Sequence, residues 1–174
     1  MRETKNKAPS SGVKERTRLP AGVAIITLSS LRTAENDESG DIIQQLFETS
    51  GHTVSVRKLI TESRNVLRAT LRELARQKDV HVIITTGGTG LACSDITVET
   101  VRGMLEKEIP GFGSLLTLLT YPQAQSAAMM SRAIAGTLNK KLVFCLPGSP
   151  RACKLATESL ILPELGNMLS VVRR

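Results

Sequence analysis

Aromatic side chains are scarce in this sequence, which has no tryptophan, one tyrosine and three phenylalanines among its 174 residues. Proteins that bind single-stranded nucleic acid stack bases on aromatic side chains, so this composition argues against that class. Metal-binding side chains are also few, because there are two histidines and three cysteines without a C-x-x-C pair. The spacing of a structural zinc site is therefore missing, and we expect reduced thiols that mostly fill space in the core.

No apolar run in the sequence approaches the roughly 18 residues that a membrane-spanning helix needs. The first residues also lack the apolar stretch of a signal peptide. We therefore expect a soluble cytoplasmic protein with no membrane partner.

The net charge of +7 is unevenly distributed along the chain. Residues 1–20 carry six basic and two acidic side chains, a net charge of +4, which leaves +3 for the remaining residues. Because the rest of the chain is only weakly basic, nucleic-acid binding is the least favoured function. The same segment is polar and aperiodic, which predicts a disordered basic tail over residues 1–20 and one domain over residues 21–174.

Short apolar runs alternate with helical patterns from residue 23 onward. This alternation predicts an α/β domain whose mostly parallel sheet lies between two layers of helices. The predicted strands are 23–28, 54–60, 80–86 and 142–146. The predicted helices are about 42–50, 63–78, 97–108, 112–135 with an interruption near Pro122, and 150–160. The helix over 63–78 is predicted to bury Val66, Leu67, Leu71, Leu74 and Ala75 and to expose Arg64, Arg68, Arg72 and Arg76 to solvent.

A glycine-rich loop directly follows the third predicted strand and is the clearest candidate for a ligand site: Thr86-Gly87-Gly88-Thr89-Gly90. Glycines let backbone N–H groups approach an anion without an obstructing Cβ, and the threonines add hydroxyl donors. The loop lacks the lysine of a Walker A motif. A tight turn without a ligand is an equal alternative.

Asp95 comes five residues after this loop and just before a helical pattern. It either caps the helix, which the local sequence favours, or holds Mg²⁺ beside a phosphate.

Two more loops leave the ends of predicted strands. Pro147, Gly148 and Ser149 precede the last helix, where N–H groups and a hydroxyl suit an anion, with a plain turn as the alternative. The other loop, 29–40, begins at Ser29 and ends in a segment that we expect to cap the first helix, with Ser39 as the cap and Asp37 stabilising the positive end of the helix. Ligands of open parallel sheets bind beyond the carboxyl ends of the strands, where all three loops are expected to lie.

Together these segments resemble the MoaB/Mog family of molybdenum cofactor biosynthesis proteins, to which the G domain of gephyrin is related. The resemblance covers about residues 21–165. It rests on four segments in matching order: Asp37-x-Ser39-Gly40, Thr86-Gly87-Gly88-Thr89-Gly90 with Asp95, Ser131-Arg132-Ala133-Ile134-Ala135-Gly136, and Leu146-Pro147-Gly148-Ser149-Pro150.

The resemblance implies a Rossmann-like three-layer domain that forms a homotrimer or homohexamer. It also implies transfer of AMP from Mg-ATP to molybdopterin, with release of pyrophosphate. The implied substrate- and nucleotide-binding residues are Ser29, Asp37, Ser39, Gly87, Gly88, Thr89, Gly90, Ser131, Arg132, Pro147, Gly148 and Ser149. Asp95 and Glu62 are the implied catalytic and Mg²⁺-binding residues.

Three positions depart from the Mog pattern. Glu62 stands where the Mog branch has aspartate, Ser94 where active members often have arginine, and Val98 where proline is usual. These changes resemble the B-type branch, in which some members are active adenylyltransferases and others lack a clear activity. The alternative is therefore a non-catalytic carrier that binds molybdopterin and works with other proteins of the same pathway.

Overall fold

The computed structural model describes residues 20–173, so the predicted tail lies outside the described residues apart from Pro20. One six-stranded sheet, in the order β2-β1-β3-β6-β5-β4, organises this part of the chain. The strands are β1 Gly22–Leu28, β2 Thr53–Ile60, β3 Val82–Thr86, β4 Lys107–Glu108, β5 Ile134–Leu138 and β6 Lys141–Leu146. The helices are α1 Glu38–Thr49, α2 Arg64–Arg76, α3 Thr97–Arg102, α4 Pro110–Ala124, α5 Pro150–Ala156 and α6 Leu162–Val172.

Helices cover both faces of the sheet, and the alternation of side chains along β1 shows why. Val23 and Ile25 pack into a core with α1, α4, α5 and α6, whereas Ala24 and Ile26 pack on the other face with α2 and α3. Both faces of the central strands are buried, so β3 and β6 show no alternation of buried and exposed residues. The predicted three-layer α/β fold is confirmed.

The parallel strands end at a common edge, which positions the candidate loops. Thr27 of β1 pairs with Thr86 of β3, and Thr86 pairs with Leu146 of β6. Leu28 pairs with Ile60 at the end of β2. The segments after all four strands therefore begin side by side.

The predicted helix over 112–135 is wrong in its last part. Helix α4 ends at Ala124, a 3₁₀ segment covers Gln125–Met130, and the chain then forms β5. β5 pairs antiparallel with β6 through a two-residue turn at Asn139 and Lys140, whose φ values are +47° and +58°. A two-residue turn with positive φ at both positions usually has the sequence Asn-Gly. Here lysine takes the place of glycine, so the sequence lacks the usual signal of a hairpin.

Smaller differences concern helix ends and one buried position. The predicted helix over 97–108 ends at Arg102 because the chain forms the short strand β4, and the predicted last helix continues through a π-helical turn into α6. Val66 is 41% exposed rather than buried, whereas the other four predicted inner residues of α2 are buried and the arginine face is exposed. Within residues 20–173, no helix combines the length and apolar character that a membrane crossing requires.

Candidate functional site

The loops after β3 and β6 contact each other at the carboxyl edge of the sheet. Thr86 Oγ1 donates a hydrogen bond to the Pro147 carbonyl at 2.9 Å, and the Gly87 N–H donates to the Leu146 carbonyl at 3.3 Å. A Cβ on Gly148 would lie 3.4 Å from Gly87 Cα, so the two loops pack backbone to backbone. The structure thus brings together two of the predicted loops at one edge of the sheet, and we call the space beyond this edge the crevice.

Two glycines shape the loop after β3. Gly87 and Gly88 have φ values of +94° and +63°, in the left-handed region where other residues are strained. A Cβ on Gly87 would collide with the Leu28 carbonyl, and one on Gly88 would lie 2.5 Å from Thr97 Oγ1. Both glycines are therefore needed for the turn itself.

In this loop, several backbone carbonyls have hydrogen-bond partners within the protein, but several backbone N–H groups have none among the described residues. Its carbonyls face the start of α3, where Thr97 Oγ1 donates to the Gly87 carbonyl at 2.8 Å and the Thr97 N–H donates to the Gly88 carbonyl at 2.9 Å. In the part of the chain that the structure describes, no protein acceptor pairs with the N–H groups of Gly88, Thr89 and Gly90. Successive N–H groups in such a turn suit an anion.

An arginine holds this loop from the side of β5. Arg132 Nε donates to the Thr89 carbonyl at 3.1 Å, while Nη1 and Nη2 donate to the Glu99 carboxylate at 2.6 and 3.3 Å. We call this arrangement the Arg132 clamp. Its hydrogen bonds lower the pKa of Glu99. Since the Arg132 guanidinium is engaged on both sides, its structural role is to position Thr89.

Asp37 is the centre of a buried cluster at the start of α1. It is 3% exposed and accepts hydrogen bonds from Thr27 Oγ1 at 2.6 Å, from the Gly40 N–H at 3.1 Å and from Arg57 Nη2 at 2.7 Å. Asp37, not Ser39, is therefore the N-cap of α1, because its carboxylate pairs with an orphan N–H of the first turn.

Ser39 instead links α1 to the loop after β6. Its hydroxyl donates to the Gly148 carbonyl at 2.9 Å, and the same carbonyl accepts from Arg32 Nη2 at 2.8 Å. Arg32 Nη1 donates to Ser39 Oγ at 3.2 Å and lies 3.6 Å from Asp37 Oδ1. We call the group formed by Arg32, Asp37, Ser39 and Gly148 the Arg32 clamp. Arg32 was not among the residues predicted from the sequence. Its position in a loop at the end of a strand, close to the expected helix cap, could have indicated a role in the site.

The two predicted catalytic carboxylates lie at the same edge but follow different strands. Asp95 Oδ2 accepts from the Ala92 N–H at 2.8 Å, and α3 begins after Ile96, so Asp95 closes a turn and is not the predicted helix cap. Glu62 accepts from Ser30 Oγ at 2.7 Å. Because β1 lies between β2 and β3, the strands that these carboxylates follow are about 10 Å apart. Within the described residues, no three acidic, histidine or cysteine side chains form a metal-binding group.

The remaining predicted residues lie around this crevice in different roles. Ser29 Oγ accepts from the N–H groups of Leu31 and Arg32, both at 3.1 Å, and so shapes the loop that carries Arg32. Ser149 Oγ accepts from the Ala152 N–H at 3.2 Å as the cap of α5. Ser131 lines a groove between α3 and α4, next to the Arg132 clamp.

The cysteines do not supply a nucleophile in the core. Burial raises the pKa of the Cys145 thiol to about 12, and burial also raises the pKa of Cys153. Both thiols therefore stay protonated at neutral pH. Cys93 is exposed in the segment between the glycine loop and Asp95.

Comparison with known proteins identifies the class of domain. A family described as a probable molybdopterin binding domain matches residues 24–167. The molybdenum cofactor biosynthesis protein B of Bacillus anthracis is 40% identical over 151 residues, which are 86% of this chain and 89% of that protein.

Solved structures agree with this assignment. A crystal structure of a molybdenum cofactor biosynthesis protein B superimposes with a TM-score of 0.88 at 38% identity, covering 91% of this chain and 99% of the other. The tungsten cofactor synthesizing protein MoaB of Pyrococcus furiosus gives a TM-score of 0.79 at 29% identity, covering 89% and 98%. The chain belongs to the MoaB/Mog family of molybdenum cofactor biosynthesis proteins.

Proposed function

We propose that this protein acts in molybdenum cofactor biosynthesis and transfers AMP from Mg-ATP to molybdopterin, releasing pyrophosphate. The observation that carries the proposal is the row of N–H groups at Gly88, Thr89 and Gly90, which face no protein acceptor among the described residues. Gly90 lies beside the Asp95 carboxylate, at the edge of the sheet where ligands of this fold class bind. The name of the Bacillus anthracis relative, a molybdenum cofactor biosynthesis protein, supports the same substrate class.

The chemistry requires two anions to approach each other. The terminal phosphate of molybdopterin attacks the α-phosphorus of ATP, and the bond to pyrophosphate breaks. N–H donors from the glycine loop would stabilise the charge that develops on the phosphoryl oxygens. Because positioning and electrostatics supply most of the catalysis in such transfers, no side-chain nucleophile is needed.

Asp95 is the residue best placed to hold Mg²⁺. Its Oδ2 is used by the Ala92 N–H, which leaves Oδ1 without a protein donor in the described chain. Protein sites for Mg²⁺ commonly use one or two carboxylates together with substrate phosphates, and this donor set fits that pattern. When bound, the ion would neutralise phosphate charge. Glu62 would be the second carboxylate, reached across the end of β1.

The test is turnover with Mg-ATP and molybdopterin, followed by chromatographic detection of adenylylated product. Asp95→Asn should lower turnover at least tenfold, equivalent to about 1.4 kcal/mol of transition-state stabilisation. Asp79→Asn is the matched control, since Asp79 is an exposed acid before β3, at the opposite edge of the sheet. Equal turnover in the two variants would remove Asp95 from the catalytic site.

A carrier of molybdopterin is the second candidate function, and it shares the same crevice. Glu62→Asp separates the two, because it restores the aspartate of the Mog pattern and should maintain or raise turnover. A parent protein that binds molybdopterin without forming product, and that gains no activity from Glu62→Asp, would be a carrier.

We also propose that the chain assembles as a homotrimer or homohexamer. Helix α4 exposes apolar side chains on its outer face, with Leu118 67% and Tyr121 55% exposed, and the following segment exposes Met129 at 80%. Exposed apolar side chains grouped in one segment are typical of an interface. Light scattering should show Leu118→Glu as a smaller species than the parent, whereas Val171→Glu, at a 65% exposed position on α6, should leave the assembly unchanged.

A further inference from the structure

Among the described residues, Arg32 makes its hydrogen bonds to uncharged groups and uses only some of its N–H donors. It lies in the loop after β1 and reaches the crevice, where it contacts Ser39 Oγ and the Gly148 carbonyl. Both of these partners are uncharged. Its one acidic neighbour among the described residues is Asp37, at 3.6 Å.

Asp37 is already paired without Arg32. Arg57 Nη2 lies 2.7 Å from Asp37 Oδ2, nearly an ångström closer than Arg32 lies to Oδ1 of the same carboxylate. Thr27 Oγ1 and the Gly40 N–H also donate to this carboxylate. Arg57 is therefore the nearer counterion of Asp37, although it also pairs with Asp41, which is 60% exposed. The hydrogen bonds of Arg32 go to uncharged groups, so its guanidinium remains available to an anionic ligand.

The Arg32 guanidinium also keeps free N–H groups. A guanidinium has five N–H donors, and the hydrogen bonds to Ser39 and Gly148 use two of them. The side chain is 29% exposed, so solvent and ligands reach it. A planar guanidinium that is already oriented by two hydrogen bonds is well suited to bind phosphate oxygens in a bidentate manner.

We propose that Arg32 binds a phosphate group of the ligand, from the side of the crevice opposite the Arg132 clamp. The same guanidinium holds the Gly148 carbonyl, so the phosphate contact and the position of the loop after β6 are coupled. The ligand class is a phosphomonoester or a pyrophosphate, in line with the proposed function on which this assignment rests. Arg32 thus adds a cationic contact to the neutral N–H donors of the glycine loop.

Calorimetric titration with inorganic pyrophosphate tests the assignment without molybdopterin. Arg32→Gln should weaken pyrophosphate binding at least tenfold, and Arg32→Lys should lose less because it retains the charge but not the planar fork. Arg76→Gln is the charge-matched control, since Arg76 is exposed at the end of α2 that lies away from the crevice. It should bind pyrophosphate as the parent does.

Ser39→Ala separates phosphate binding from loop positioning. It removes the other donor to the Gly148 carbonyl and one of the two acceptors that orient Arg32, but leaves the charge of Arg32 in place. We expect Ser39→Ala to reduce affinity less than threefold, and its affinity to fall with added salt as steeply as that of the parent. Arg32→Gln should flatten this salt dependence, because one charge–charge attraction is lost.

Three results would overturn the assignment. They are a parent protein that does not bind pyrophosphate, equal affinity in Arg32→Gln and Arg76→Gln, and equal losses in Arg32→Gln and Ser39→Ala. If Arg32→Gln fails to fold, Arg32→Lys decides by the same comparison with Arg76→Gln. The adenylyl transfer assay is independent of these titrations. If an Arg32→Lys variant forms product and binds pyrophosphate with unchanged affinity, the proposed function stands and this role of Arg32 is rejected.

Discussion

The Arg32 clamp and the Arg132 clamp each use an arginine to hold a loop of the crevice. They differ in how far the acidic side chain beside the arginine is exposed to solvent. In each, a guanidinium donates to a backbone carbonyl of a site loop, Gly148 in one case and Thr89 in the other. The acid of the first is buried, because the Asp37 side chain is 4% exposed, whereas the Glu99 side chain is 42% exposed.

This difference separates a clamp that is part of the folded core from one that lies on the surface. Asp37 caps α1 and pairs with side chains from β1 and β2, so its loss would disturb three elements at once. Glu99 pairs with Arg132 alone among the described ion pairs. We therefore expect changes at Asp37 to act on stability and changes at Glu99 to act mainly on the loop.

The largest effect is expected from Asp37→Ala. The change leaves Arg57, Thr27 and the Gly40 N–H without their buried acceptor, and breaking such a pair costs about 3 kcal/mol or more of unfolding free energy. Urea denaturation measures the loss. The control is Asp41→Ala, which removes the other acidic partner of Arg57 but is 60% exposed, so it should cost less than about 1 kcal/mol. Similar costs for the two variants would show that Asp37 is not a structural anchor.

Sequence patterns predicted the parts of this site that depend on local chemistry. The four parallel strands and the three loops at their ends were identified because the strands are short, largely apolar runs and the loops are rich in glycine and polar residues. The assignment of Ser39 as the cap was wrong because Asp37 and Ser39 are both good capping residues, and the choice depends on Thr27 and Arg57, which are distant in sequence.

The two clamps could not be predicted from local sequence patterns. Arg132 and Glu99 are 33 residues apart, and Arg32 and Gly148 are 116 residues apart, so no local pattern connects them. Strand β5 was missed because its glycine and alanine give a weak strand signal, and its pairing with β6 depends on a turn of unusual composition.

An intermediate effect is expected from Glu99→Gln. The side chain keeps its size but no longer forms a bidentate ion pair, so Arg132 should position the Thr89 carbonyl less firmly. We expect unfolding free energy to fall by less than about 1 kcal/mol, since the pair is largely exposed. Pyrophosphate affinity should fall more than in Glu73→Gln, which removes an exposed pair with Lys58 away from the crevice. An affinity loss no larger than in this control would show that the Arg132 clamp does not support the binding loop.

The smallest effect is the pH dependence of the Arg132 clamp. The hydrogen bonds from Arg132 lower the pKa of Glu99 in the folded protein relative to its ordinary value of 4.5. Its contribution to stability is therefore complete above pH 4.5 and is lost as the pH falls through the lower folded pKa. Melting curves of the parent and Glu99→Gln between pH 3 and 7 should converge toward the acidic end. A constant difference between the two proteins would contradict this role of Glu99.

The hairpin formed by β5 and β6 has a consequence for the order of folding. Its strands are joined by two residues, so they can pair within about 1–10 μs, whereas β6 must also find β3, about 60 residues earlier in the chain. Pairing across such a distance is slow because a large loop must close first. The crevice needs the ends of both β3 and β6, so we expect it to form in the last steps of folding. A ligand bound there would then slow global unfolding, and only molecules with a completely formed sheet would bind it.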